Sequence, residues 1–148
     1  MRQVSILLVE DNPNDEELTR RVLERNKLLN VVVVARNGAE ALDYLFGRGG
    51  YAGRDLTDQP QVVLLDLNLP KLSGLDVLRE IRSDERTKLL PVVILTSSHE
   101  EVDMLGGYQH GANSYVVKPV EFAQFSEAVR QLGLYWMLVN QGPPGGSG

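Results

Sequence analysis

The sequence predicts one α/β domain in which a central parallel sheet lies between two layers of helices. Five short apolar runs rich in Val, Ile and Leu are separated by segments that each have room for one helix, a pattern typical of buried parallel strands. The length of 148 residues is that of a single domain, for which about 150 residues is typical. We therefore expect a three-layer α/β sandwich with a five-stranded parallel sheet.

The first two predicted βα units each begin with an apolar run. Residues 4–9 predict a buried strand, and Asn12 and Pro13 after it offer a helix cap and a rigid first turn. A helix is expected over 16–25, because Glu–Arg pairs four residues apart lie opposite an apolar face. The β-branched run 31–35 predicts the second strand. The helix after it carries its apolar face at Ala41, Leu42, Leu45 and Phe46.

Three further units follow a polar segment at 47–59, whose glycines and charged residues predict a surface loop rather than a domain linker. The next strands are predicted at 61–65, 91–95 and 114–117. Leu75, Leu78 and Ile81 form the apolar face of the helix after the third strand. The helix expected over 101–110 contains two adjacent glycines, each of which destabilises a helix by about 1 kcal/mol relative to Ala, so we expect it to be mobile.

The last predicted helix, from about residue 121, carries an apolar stripe with heptad-like spacing. Its members include Phe122, Phe125, Val129, Leu132 and Trp136. Such a helix needs burial on two sides, and the sheet provides one of them. We predict that a partner covers the other; the alternative is that the helix end folds back on its own domain. The predicted domain spans 1–140, with an extended C-terminal helix, and 141–148 is predicted to be a disordered tail.

Composition argues against several classes of function. Lys and Arg total 15 and Asp and Glu total 20, and the net charge of −5 disfavours sequence-independent binding to nucleic acid or anionic membranes. The chain has no Cys and two His, so it has no thiol nucleophile, thiolate metal site or His-rich metal cage. No run approaches the roughly 20 apolar residues of a membrane span. We expect a cytoplasmic protein without direct nucleic-acid or membrane contacts.

Polar side chains follow four of the predicted strands. They are Glu10 and Asp11 after the first, Asp66 after the third, Thr96 after the fourth and Lys118 after the fifth. Taken singly, each is more often a helix cap, a strand residue or a turn residue. Because the carboxyl ends of parallel strands meet at one edge of a sheet, the five are expected to converge.

Three carboxylates held close together repel one another unless a proton or a cation intervenes. A site of oxygen ligands without thiolate or His favours Mg²⁺, so we predict a magnesium site. With a hydroxyl and an ammonium beside it, such a site could accept a phosphoryl group, with one carboxylate attacking phosphorus and the positive charges offsetting those on the phosphoryl oxygens. The product would be an acyl phosphate.

The sequence resembles the receiver domains of two-component response regulators over about residues 4–131. The similar segments are 7–11 (LLVED), 65–70 (LDLNLP), 94–98 (ILTSS) and 115–119 (YVVKP). The resemblance implies a flavodoxin-like fold in which Asp66 is the phosphoacceptor and Lys118 contacts the phosphoryl group. It also implies that Glu10 and Asp11 hold Mg²⁺ together with Asp66 and the backbone carbonyl of Asn68. Glu10 stands where many relatives have Asp, and its longer side chain implies contact with the metal through a water.

The same resemblance implies a conformational switch. Thr96 would move to donate a hydrogen bond to the phosphoryl group while the Tyr115 ring turns inward. The surface formed by the helix at 101–110, the fifth strand and the last helix would change as a result. The resemblance further implies that the Lys118–Pro119 peptide bond is cis.

A narrower similarity concerns the single-domain regulators that are paired with phytochrome-type histidine kinases. It rests on the long loop at 47–59, on Leu-Tyr-Trp at 134–136 and on the Pro pair at 143–144. It implies a sensor histidine kinase of the phytochrome type as phosphodonor, and homodimers formed through the last strand and helix. The predicted function is that of a stand-alone phosphorylation switch without an output domain.

Two other functions remain as alternatives. The first is a Mg²⁺-dependent phosphohydrolase of the haloacid-dehalogenase type, which uses a second Asp two residues after its nucleophile, where this chain has Asn68. The second is a flavin-binding module on the same scaffold, which is disfavoured because Glu10 and Asp11 would repel the flavin phosphate.

Overall fold

The computed structural model of the protein describes residues 5–25, 31–97, 101 and 111–131. In this part of the chain five parallel strands form one sheet in the order β2-β1-β3-β4-β5. The strands are β1 (Ser5–Val9), β2 (Val31–Ala35), β3 (Val62–Asp66), β4 (Val92–Thr96) and β5 (Ser114–Val117). The helices are α1 (Pro13–Arg25), α2 (Gly38–Phe46), α3 (Gly74–Ser83) and α4 (Phe122–Gln131), with a 3₁₀ turn at Gly49–Tyr51. The predicted fold class is confirmed.

Helices cover both faces of the sheet because successive strand residues point to opposite sides. Leu7 of β1 belongs to a core that α2 and α3 complete, whereas its neighbour Ile6 packs in a second core with Leu23 of α1 and Phe125 of α4. The three central strands, β1, β3 and β4, are buried on both sides, which explains why they are apolar runs rather than alternating patterns.

Short polar residues fix where the helices begin. The Asn12 side chain accepts hydrogen bonds from the backbone N–H groups of Asn14 and Asp15, at 2.9 and 3.0 Å, at the start of α1. Ser73 caps α3 by accepting from the Asp76 N–H at 3.2 Å. These caps satisfy N–H groups that have no partner within the helix, and they set the helix starts next to the carboxyl ends of the strands.

The loop predicted at 47–59 is present and is held by one cation. The Arg54 guanidinium donates to the Tyr44 carbonyl at 2.6 Å, to the Asp58 carbonyl at 2.8 Å and to the Gln59 side chain at 2.8 Å. It also lies over the Tyr44 ring, 3.9 Å from the ring centroid. The loop is therefore anchored to α2 rather than acting as a linker.

Two residues of the apolar stripe of the last helix are not accessible to a partner, contrary to the prediction. Phe125 and Val129, assigned to a dimer interface, are fully buried in this chain's own core, because α4 packs that face against the sheet. Phe122 is 49% exposed, so it alone of these three is accessible. Leu132 and Trp136 lie outside the described residues.

Several other predictions fall partly or wholly outside the described residues. They are the mobile helix at 101–110 beyond its first residue, the extension of the last helix past Gln131 and the tail at 141–148. Among the described residues no helix is long and apolar enough to span a membrane.

Candidate functional site

The sheet register brings the predicted carboxylates together at one edge. Val9 of β1 pairs with Leu65 of β3, so the residues that follow them, Glu10 and Asp66, lie side by side. Asp11 comes next in the chain, and one carboxylate oxygen from each of these three acids lies within 4.8 Å of the others. Glu10 is fully buried and Asp66 is 1% exposed, whereas Asp11 is open to solvent.

The Lys118 ammonium contacts two acids of this carboxylate cluster and one further acid. Its Nζ atom is 3.1 Å from Asp66 Oδ2, 3.4 Å from Glu10 Oε1 and 2.9 Å from Asp15 Oδ2. The Lys118–Pro119 bond is cis, as the resemblance implies. Three carboxylates thus share one ammonium, and with Asp11 nearby the cluster carries an excess of negative charge.

This excess changes the proton affinity of the buried groups. Burial, with a hydrogen bond to Asp66 and the charge of Asp66, raises the pKa of Glu10 to about 8, although Lys118 and the Asn12 N–H act in the opposite direction. Burial would lower the pKa of Lys118, but hydrogen bonds to Asp15 and Asp66 and the surrounding negative charge outweigh burial and raise it. Near neutral pH the cluster therefore keeps one proton on Glu10 and one positive charge on Lys118.

Both oxygens of Asp66 are held in place. Oδ1 accepts from the Asn68 backbone N–H at 2.9 Å, and Oδ2 accepts from Lys118. The start of α3 packs closely against this strand end. Gly74 makes this approach possible, since a Cβ atom there would collide with the Asp66 carbonyl. A rigid, hydrogen-bonded carboxylate at this position is preorganised for reaction with an incoming electrophile.

The predicted switch residues lie on β4 and β5, and the Thr96 carbonyl accepts from the Lys118 backbone N–H at 2.7 Å. Thr96 is fully buried at the end of β4, and its hydroxyl donates to Glu101 Oε1 rather than to Asp66. Tyr115 of β5 is half-buried and lines a groove between β5 and α4 together with Gln124 and Ala128.

The donor set fits a hard divalent cation. Carboxylate oxygens are the protein ligands that such cations prefer, and three of them converge here within reach of one ion. A cation would also offset the burial and the neighbouring Asp66 charge that keep a proton on Glu10. Glu10, Asp11 and Asp66 are therefore able to hold a divalent metal ion.

Comparison with known proteins agrees with this geometry. The response regulator receiver domain family matches residues 6–130. The chain belongs to this family. Receiver domains are phosphoacceptor signalling proteins rather than classical enzymes, and membership therefore favours phosphoacceptance over the phosphohydrolase and flavin-binding alternatives.

Three relatives place this receiver domain more closely. The solved structure of the bacteriophytochrome response regulator RtBRR is 52% identical, with a TM-score of 0.86, and the match covers 98% of this chain and 86% of that one. The Mn²⁺-bound form of response regulator Rcp1, a Synechocystis protein, is 32% identical, with a TM-score of 0.71 over 94% and 96% of the two chains. The probable methanogenesis regulatory protein FilR2 of Methanothrix harundinacea is 41% identical over 93% and 86%. The receiver domain is thus related to phytochrome response regulators.

Sequence reasoning missed two residues that contact predicted site residues. Asp15 pairs with Lys118, and Glu101 accepts from Thr96. Asp15 lies in the first turn of α1, close in sequence to the end of β1, and that position was an available clue. Nothing in the local sequence indicates that Glu101 turns back toward β4.

Proposed function

We propose that this receiver domain accepts a phosphoryl group on Asp66 from a sensor histidine kinase. The observation that carries the proposal is the environment of Asp66, which is buried, hydrogen-bonded at both oxygens and next to an ammonium in a cluster with excess negative charge. Family membership independently supports phosphoacceptance.

The chemical step is nucleophilic attack by a carboxylate oxygen of Asp66 on phosphorus. A P–O bond to Asp66 forms while the P–N bond of the donor phosphohistidine breaks, and the imidazole leaves with the bonding electron pair. Lys118 lies 3.1 Å from Asp66 Oδ2, close enough to contact the transferred group and offset its charge. The Asn68 N–H keeps the Asp66 carboxylate oriented throughout.

Glu10, Asp11, Asp66 and the Asn68 carbonyl would hold the divalent cation, which we propose is Mg²⁺. Bound there, it would supply positive charge to the phosphoryl oxygens. The carboxylate-only donor set and the Mn²⁺ bound by the relative Rcp1 support a metal at this site. Isothermal titration should show Mg²⁺ binding that Asp11→Asn weakens, whereas Asp76→Asn, which removes an acid from the α3 cap, serves as control. Equal affinity in wild type and Asp11→Asn would exclude this ligand set.

We propose that Thr96 and Tyr115 convert phosphorylation into a changed surface. The Thr96 hydroxyl would donate a hydrogen bond to the phosphoryl group, and the Tyr115 ring would turn inward from the groove beside α4. The exposed surface around β5 and α4 would differ between the two states. Hydrogen exchange of wild type and Thr96→Val with and without phosphoryl donor should show a change around β5 and α4 in wild type alone.

The experiment that tests phosphoacceptance is intact-mass measurement with Mg²⁺ and acetyl phosphate. Wild type should gain the mass of one phosphoryl group, and Asp66→Asn should gain none. Asp76→Asn, which keeps the site intact, should match wild type. If wild type stays unmodified, or if Asp66→Asn gains the group at the same rate, Asp66 is not the acceptor.

We infer that the kinase partner is of the phytochrome type, since RtBRR and other similar structures are phytochrome response regulators. An autophosphorylated phytochrome kinase should transfer label to this protein within seconds to minutes, and an unrelated histidine kinase should be at least about tenfold slower. Equal rates from both kinases would contradict the assignment.

We also infer a homodimer that uses β5 and the last helix. β5 is an edge strand of the described sheet, and Phe122 exposes half of its side chain nearby. Sedimentation at about 100 µM should give a dimer for wild type and a smaller average mass for Phe122→Ala and Trp136→Ala. Leu89→Ala removes an exposed apolar side chain outside the stripe and should not change the mass. A wild type that is monomeric at this concentration would contradict the inference.

A further inference from the structure

A hydrogen-bonded carboxylate holds the end of β4. Glu101 Oε1 accepts from the Thr96 hydroxyl, from the Ser97 backbone N–H at 3.1 Å and from the Ser97 hydroxyl at 3.1 Å. The Asn68 side chain also bonds to the Glu101 carboxylate. Burial alone would raise the pKa of Glu101, but these hydrogen bonds outweigh it and lower the pKa, so the group is ionised at neutral pH.

The Thr96 hydroxyl has one proton and can donate it to one strong acceptor at a time. In this structure that acceptor is Glu101. Thr96 is fully buried, so no bulk water competes for the proton, and a bond from a neutral hydroxyl to an ionised carboxylate is among the stronger hydrogen bonds in proteins. A phosphoryl group on Asp66 can accept this hydrogen bond only after the bond from Thr96 to Glu101 breaks.

We propose that Glu101 is a positioning residue. It competes with the phosphoryl group for the hydrogen bond that the Thr96 hydroxyl donates, and so holds the protein in its unphosphorylated conformation. This inference rests on the proposed function of Asp66 and Thr96. Breaking the Thr96–Glu101 hydrogen bond is then one of the energetic costs of activation, and a weaker bond makes the phosphorylated conformation easier to populate.

Asn68 connects Glu101 to the phosphoacceptor. Its backbone N–H donates to Asp66, while its side chain bonds to Glu101. Glu101 therefore contacts groups on both β4 and the β3 loop next to the phosphoacceptor. A doubly negative phosphoryl group would place further negative charge near this carboxylate, which also favours its displacement.

A purely structural role for Glu101 has to be separated from this one. The bonds from Ser97 resemble those by which a glutamate stabilises the start of a helix, and loss of such a contact destabilises a protein without reference to Thr96. The two roles differ in one respect. Only in the proposed role does the effect of replacing Glu101 require the Thr96 hydroxyl.

The test uses the full chain and beryllofluoride, a tetrahedral phosphoryl analogue that binds a carboxylate, with saturating Mg²⁺. Calorimetric titration should show binding about tenfold tighter in Glu101→Ala than in wild type, because Glu101 no longer competes for the hydrogen bond that the Thr96 hydroxyl donates. Glu101→Gln keeps an acceptor oxygen without its charge and should fall between the two. The matched control Glu85→Gln removes an exposed glutamate that pairs with Lys88 and should bind as wild type does.

The deciding arm repeats the titration in a Thr96→Val background. Glu101→Ala should then change affinity less than twofold, which a helix-capping role would not produce. An unchanged affinity in Glu101→Ala, or the same gain with and without the Thr96 hydroxyl, overturns the inference while wild type still binds. If wild type binds no beryllofluoride and Asp66 takes no phosphoryl group, the proposed function itself fails.

Discussion

Two half-buried cations of this receiver domain have opposite surroundings. Lys118 contacts three carboxylates, from Glu10, Asp15 and Asp66. Arg82 contacts only neutral oxygens in the bonds of its guanidinium, which are the carbonyls of Gly111, Lys88 and Leu90 and the side chain of Asn113, at 2.8–3.1 Å. Both cations tie the segment around β5 to the rest of the domain, yet one cluster has excess negative charge and the other has none.

The difference separates a functional charge cluster from a structural one. Arg82 gains fixed hydrogen bonds that connect α3 to the chain before β4 and β5, and nothing further is needed to satisfy them. Around Lys118 the acids outnumber the cation, and the cluster has capacity for a metal ion. Burial, together with the hydrogen bond to Asp66 and its charge, keeps a proton on Glu10. Excess charge that the fold itself does not neutralise marks the site where a ligand completes the structure.

The largest expected effect is that of Lys118→Met. This change leaves Asp66 buried without its cation, and we expect the metal-free protein to lose about 3 kcal/mol of unfolding free energy in urea denaturation. Addition of 10 mM Mg²⁺ should restore about 1 kcal/mol or more, because the ion binds the folded state and replaces part of the lost charge. If Mg²⁺ does not change the stability of Lys118→Met, the excess negative charge of this cluster does not bind a metal ion in place of the lysine.

Arg82→Met should destabilise the protein somewhat less, by about 2 kcal/mol, because the carbonyls it leaves unpaired are partly open to water. Mg²⁺ should stabilise this variant by the same amount as wild type, in contrast to Lys118→Met. Arg82→Lys should recover less than half of the loss, because an ammonium lacks the planar fork that reaches four oxygens at once. Full recovery by Lys would show that charge, and not geometry, is what this position supplies.

A smaller effect should appear in the pH dependence of the metal-free protein. Folding raises the pKa of Glu10 from 4.5 to about 8, so between these values the folded state binds more protons than the unfolded state. The unfolding free energy must therefore fall as pH rises from about 5 to 8. Glu10→Gln cannot titrate and should lack this component, which amounts to about 1 kcal/mol between pH 7 and pH 8.

Urea denaturation in chelator at several pH values checks this slope, with Glu80→Gln, an exposed position on α3, as the matched control. The control should keep the slope of wild type. Parallel curves for wild type and Glu10→Gln would mean that Glu10 is ionised in the folded protein and that its neighbours do not hold a proton on it.

Most of the fold and much of the site followed from the sequence because both depend on strand ends. Apolar runs locate the strands, and parallel strands bring their carboxyl ends together, so Glu10, Asp66 and Lys118 could be placed beside one another without coordinates. The heptad-like spacing of the last helix was less informative. An apolar stripe specifies which side chains are buried, and Phe125 shows that the burying partner can be the chain's own sheet.

The contacts that escaped prediction are made by side chains whose direction depends on tertiary packing. Glu101 reaches the hydroxyl at the end of β4, and Asp15 reaches from α1 to Lys118, just after β5. Charged residues in the first turn of a helix usually face solvent or interact with the helix dipole. Only the assembled sheet edge shows which of them has a buried cation or hydroxyl within reach.

The smallest effect tests the outer part of the Lys118 cluster. Asp15 makes the shortest of the three contacts, 2.9 Å, but its side chain is 30% exposed, whereas those of Glu10 and Asp66 are 0% and 2% exposed. Because solvent screens this pair, Asp15→Asn should change the unfolding free energy by less than about 1 kcal/mol. The difference from wild type should shrink further in 1 M NaCl, where the screening length is about 3 Å.

Arg82→Met offers the comparison for Asp15→Asn, because its neutral hydrogen bonds should keep their full effect at the same salt concentration. Urea denaturation of wild type and both variants at low and high salt measures the two responses together. A loss above about 2 kcal/mol for Asp15→Asn that persists in salt would place Asp15 inside the buried cluster with Asp66. Lys118 would then be held by three equivalent carboxylates rather than by two buried ones and a screened third.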